Sequence, residues 1–149
     1  MMQRYRYQPL PEVDIGAGRS SDHIRVATIL PGIWEEDIYI TVCQQPFSET
    51  QLPAYEAVSY AWGPEEANSY RVVVVSHSQS GLGRPLGWLP VRQNLRSALQ
   101  YLRLEDRPRP MWIDAVCIDQ NDMEQKGHQV RYRPGDDQWF GAPLVLTIA

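Results

Sequence analysis

Residues 24–29 follow a period of two. Ile24, Val26 and Thr28 fall on one face, Arg25, Ala27 and Ile29 on the other, and Pro31-Gly32 ends the run. A second such run, "DIYITVCQ", sets Ile38, Ile40 and Val42 against Tyr39, Thr41 and Cys43. "YEAVSYAWG" reads as a third strand, closed by Gly63-Pro64. In the fourth, "YRVVVVSHS", the unbroken valines predict burial on both faces.

The pattern then changes. "QSGLGRPLG" is a loop by composition, and the short strand "WLPV" follows it. A phosphate-cradling glycine loop needs to open a helix, so this one is a plain hairpin connection. Residues 92–104 carry a helical stripe of Leu95, Ala98, Leu99 and Leu102, with Arg92, Arg96 and Arg103 placed elsewhere on the surface. "EDRPRP" breaks the helix, "MWIDAVCI" reads as a strand, and a short helix over roughly 122–132 stops at Pro134-Gly135. A helix between strands predicts an α/β layer with parallel pairing nearby.

Composition narrows the class. A chain of 149 residues, 43% hydrophobic and 21% charged, has the size and make-up of one globular domain. Its net charge of −4 and lack of a basic stripe argue against a nucleic-acid partner. Cys43 and Cys117 are the only cysteines and show no CxxC spacing, which points to a reducing, cytoplasmic setting. The leader, 1–22, is irregular and has no signal-peptide core; no apolar run approaches the roughly 20 residues of a membrane span.

Four blocks, "HIRVATILPG", "YEAVSYAWG", "LPVRQNLRSALQYLR" and "RPRPMWIDAVCIDQNDMEQKGHQVR", stand in the order and at the spacing of the heterokaryon incompatibility (HET) domain of filamentous fungi. The tryptophan-glycine ending of the third strand and the W-I-D-A-x-C-I-x-Q block are the most specific of these signals. The resemblance implies a fungal, intracellular domain acting in nonself recognition and programmed cell death. It implies a TIR-like, flavodoxin-like sheet with flanking helices, a fold in which some members cleave NAD. The chain departs from the family pattern at Asp119, where asparagine is usual, and at Arg92, where a small N-cap residue is usual. After "HQVR" the tail no longer resembles the family. The expected division is therefore an HET portion at 23–131 and a non-family tail at 132–149. The fold is expected to be incomplete at the C-terminus, with an unpaired sheet edge and poor order after residue 120.

Candidate chemistry gathers at the strand-to-helix block. Asp114 is placed where open α/β sheets bind ligands, outside the carboxyl ends of strands. The commoner reading is a buried carboxylate accepting N–H bonds from the following turn. Glu124 stands three residues beyond Asn121, and the pair forms a capping box worth about 1 kcal/mol. By resemblance, Glu124 is also the counterpart of the carboxylate that a TIR-type NAD glycohydrolase uses against the nicotinamide ribose, where it stabilises oxocarbenium charge. Glu124 and Asp114 are thus the candidate catalytic residues. Ser59, Trp62, Asp119 and Gln120 are the candidate ligand-binding residues. Cys117 with His128 and Asp114 can be drawn as a nucleophile and its partners, but a core cysteine is the commoner use of such a residue. No metal site and no resident cofactor is expected, and NAD enters only as a candidate substrate. Signalling would proceed through protein partners or self-association. The alternatives are a non-catalytic interaction module and an inactive truncated fragment.

Overall fold

A computed structural model of the chain describes residues 2–9, 22–47, 55–60, 70–119 and 145–148. β1 (Asp22–Ile29) and β2 (Tyr39–Phe47) form an antiparallel hairpin, from Asp22 opposite Phe47 to Ile29 opposite Ile40. β3 (Glu56–Tyr60), β4 (Tyr70–Val75), β5 (Pro85–Val91), β6 (Arg109–Trp112) and β7 (Val145–Ile148) join them in one sheet of order β5-β4-β2-β1-β6-β3-β7. The pairs β1–β2, β1–β6 and β4–β5 are antiparallel; β2–β4, β3–β6 and β3–β7 are parallel. The result is a mixed α/β sheet.

β1 is an inner strand, paired on its two edges by β2 and β6, and both its faces are buried. Ile24 and Val26 are buried on one, and Arg25, Ala27 and Ile29 on the other. Val72, Val74 and Val75 of β4 are buried and Val73 is half-buried, so the valine run is covered largely as expected. α1 (Gln93–Leu102) buries the stripe its sequence shows: Leu95, Ala98, Leu99 and Leu102. Arg92 stands at its N-cap and supplies no side-chain capping bond.

Several expectations are corrected. "MWIDAVCI" is not one strand: β6 ends at Trp112, and Asp114–Cys117 form a single helical turn, α2. Its carbonyls accept in helical fashion, with Cys117 N–H donating to Ile113 O at 2.7 Å and Ile118 N–H to Asp114 O at 3.2 Å. A continuous apolar run has no period by which strand and buried helix can be separated. Arg103 is not a surface residue but is buried at 7% exposure. It reaches back over the β1–β2 loop, where its guanidinium donates to the carbonyls of Ile33, Trp34, Glu36 and Asp37.

β5 starts at Pro85, three residues earlier than expected, and the leader is docked against it. Tyr5 N–H donates to Trp88 O at 2.8 Å and Trp88 N–H to Gln3 O at 3.0 Å. Gly87 makes this approach feasible: its φ is 153°, and a Cβ there would sit 2.7 Å from the Tyr5 backbone. The tail, expected to lie outside the fold's pattern, supplies β7, which pairs with β3 from Ala57 opposite Val145 to Tyr60 opposite Ile148 and ends the sheet on that side. The helix expected over 122–132 lies outside the described residues.

Candidate functional site at the β6–α2 junction

β3 and β6 are parallel neighbours, with Glu56 opposite Met111 and Ala57 opposite Trp112. Their carboxyl ends therefore open on the same side of the sheet. Ser59 stands two residues beyond the last paired position of β3 and Asp114 two beyond that of β6. Nothing in the sequence pattern shows that these two strands are neighbours. At the other end of the pair, Arg109 grips Glu56 through Nε and Nη2, both at 2.9 Å. The hydrogen bond from Arg109 holds the Glu56 carboxyl below its ordinary value.

Asp114 opens α2 at 9% exposure, and its Oδ1 accepts the N–H of Ala115 at 2.7 Å. It thus has a structural task at the turn, as one of its two readings anticipates. Cys117 is fully buried, and burial pushes its thiol up to about 12. Its Sγ accepts from the Ile113 N–H at 3.4 Å and lies 3.9 Å from Met111 O. A protonated thiol locked beneath the turn is a core group, not a nucleophile. Trp112, beside it, is also buried, and its indole N–H has no hydrogen-bond partner among the described residues.

Below the turn lies a group that sequence reasoning placed in no site. Arg25, at 1% exposure, donates to Cys117 O at 3.3 Å and to Gln8 O at 2.9 Å, and its guanidinium lies 4.9 Å from the Tyr7 ring centroid. Tyr7 Oη donates to Val116 O at 2.7 Å. Burial lowers the Arg25 pKa and raises that of Tyr7, while the negative charge of Asp119 favours the arginine cation. A groove of about 500 Å³ runs past this cluster, between leader residues such as Arg4 and Tyr5 and the Ala115–Asp119 end of the junction. The signal that would have found Arg25 is its strand face, which it shares with Ala27 and Ile29. A lone arginine on an otherwise apolar face is buried if that face is.

The structure thus brings Asp114 and the Ser59 backbone to neighbouring strand ends, while Asp119 lines the groove beside the leader. The Ser59 side chain, Trp62, Gln120, Glu124, Asn121 and His128 lie outside the described residues. Among the described residues no group of histidine, cysteine and carboxylate side chains is placed to hold a metal ion. No helix among them is long and apolar enough to cross a membrane.

Comparison with known proteins bears on the same segment. A family model, heterokaryon incompatibility protein (HET), matches residues 55–133, from the start of β3 through the junction. Heterokaryon incompatibility protein 6, OR allele, of Neurospora crassa is 32% identical over 119 residues, covering 74% of this chain and 16% of that protein. The chain thus spans about one sixth of the length of that relative. No solved structure matches the chain. The ordered blocks, the family match across the junction and the identity over most of the chain agree: this protein belongs to the heterokaryon incompatibility (HET) family.

Proposed function

We propose that the chain is a fungal heterokaryon incompatibility domain that acts in the cytoplasm in nonself recognition and programmed cell death signalling. The observation that carries this reading is the match to the Neurospora incompatibility protein over three quarters of the chain. The finer proposal is a TIR-like NAD cleavage at the carboxyl ends of β3 and β6. The parallel trio β6-β3-β7 supports it, since such strand ends are where open α/β sheets receive ligands. The antiparallel β1 and the β4–β5 hairpin are departures from a doubly wound sheet. Glu124 and Asp114 are assigned as the catalytic residues, Glu124 against the nicotinamide ribose, and Ser59, Trp62, Asp119 and Gln120 as ligand-binding residues.

A second reading, a non-catalytic interaction module, draws on a specific observation: Asp114, one of the two acids described at the junction, already accepts the Ala115 N–H. One assay separates the two. Concentrated protein is incubated with NAD and nicotinamide release is followed, for the parent chain and for Glu124→Gln. Release that Glu124→Gln abolishes at unchanged melting temperature is expected for the enzyme. Cell killing by a chain that releases no nicotinamide would leave the interaction module.

A further inference from the structure

The far end of α1 carries a surface that the junction does not use. Trp34 and Tyr101 are 48% and 75% exposed, and their rings meet edge to face at 4.9 Å between centroids. Ile33, also exposed, is adjacent. Single exposed apolar residues are ordinary, but this set is held in place. Gly32 N–H donates to Leu104 O at 3.0 Å, Gln100 Nε2 reaches Trp34 O, and the buried Arg103 binds the carbonyls of residues 33, 34, 36 and 37. The aromatic pair is therefore pre-ordered, which lowers the entropy cost of docking.

Charge says what docks. Glu35, Glu36 and Asp37 on the loop and Glu105 and Asp106 after α1 are all exposed. Among the described residues none of the five is in an ion pair. The same two segments hold only Arg103, spent on backbone carbonyls, and Arg107. An aromatic pair rimmed by acids suits a cation over the ring faces, with aliphatic contact between. A second copy docking face to face would set acid on acid, and nucleic acid or an anionic membrane would be repelled outright.

We propose that the Trp34–Tyr101 face is a docking surface for a basic segment of a partner protein, one in which arginines or lysines alternate with apolar residues. The proposal is independent of any chemistry at the β6–α2 junction. Its test titrates the full chain into a fluorescein-labelled peptide of alternating arginine and leucine and reads anisotropy. Saturable binding is expected, weakened at least tenfold by Tyr101→Ser and by the double reversal Glu35→Lys with Glu105→Lys. Leu82→Ser, a change at an exposed apolar residue in the β4–β5 loop, leaves binding unchanged. A peptide with serine in place of leucine binds at least tenfold more weakly. Absent binding, or equal affinity for the parent and Tyr101→Ser, overturns the proposal. So does a concentration-dependent dimer in sedimentation that Tyr101→Ser disperses, because the face would then belong to a second copy. Thermal melts accompany each variant; if Tyr101→Ser lowers the melting temperature, the charge-reversal pair carries the test.

Discussion

A guanidinium at 1% exposure within a sheet must find acceptors, and Arg25 finds them on the leader and on α2, at Gln8 O and Cys117 O. Hydrogen bonds from a charged donor contribute about 1.5–3 kcal/mol each, and the group left behind is penalised when its partner goes. Arg25→Ala is therefore expected to cost roughly 3 kcal/mol in urea unfolding and to loosen residues 2–9, read as faster amide exchange at Tyr5 and Trp88. Unchanged exchange there would show that the leader is held by Tyr7 and the β5 pairing alone. The two cysteines should also part company. Cys43 is half-buried and Cys117 is buried with its thiol pushed up to about 12. Iodoacetamide near pH 8 is expected to alkylate Cys43 in the native protein and Cys117 only after unfolding, as peptide mapping would reveal. Rapid native labelling at Cys117 would contradict its place in the core.

At the scale of elements, Arg103 is the tie between α1 and the β1–β2 loop. Its planar fork spreads donors over the carbonyls of Ile33, Trp34, Glu36 and Asp37, which a lysine ammonium cannot match. Arg103→Lys is expected to destabilise the fold by about 1–2 kcal/mol and to raise amide exchange in residues 31–38, leaving α1 helical by circular dichroism. Equal protection in parent and variant would remove the tie. The helix itself was legible, because a stripe at i, i+3, i+4 and i+7 has one physical solution. Arg103 was not, because it stands one residue beyond the last buried leucine and nothing local says which way a terminal side chain turns. The strand–turn boundary inside "MWIDAVCI" was hidden for a different reason, the absence of any polar residue to mark a face before Asp114.

Across the whole molecule, Arg109 joins three elements: it pairs with Glu56 of β3 and donates to Leu102 O at the end of α1. The Glu56 carboxyl lies below its ordinary 4.5 in the fold, chiefly through the hydrogen bond from Arg109. A depressed folded-state pKa stabilises the fold above the unfolded value, and that contribution is lost as the pH falls through the folded value. The difference in urea midpoint between the parent and Glu56→Gln is therefore expected to be constant above about pH 5 and to shrink as the pH falls below 4.5. A difference that does not change with pH would mean that the pair carries no titrating stability.

By itself the sequence determined that this is an α/β chain of the HET family, with a period-two strand at 24–29, a valine strand at 72–75 and one amphipathic helix. Those features are local, written in spacing and in ordered blocks. Only the tertiary structure decided that β3 and β6 lie side by side and parallel, so that the Asp114 turn and the end of "EAVSY" lie at the same end of the sheet. It alone decided that Arg25 and Arg103 are buried cations fed by backbone carbonyls, and that the leader and β7 cover edges that composition left open. Pairing across the sheet joins residues tens of positions apart, and a hydrogen bond between them leaves no trace in the pattern of either segment.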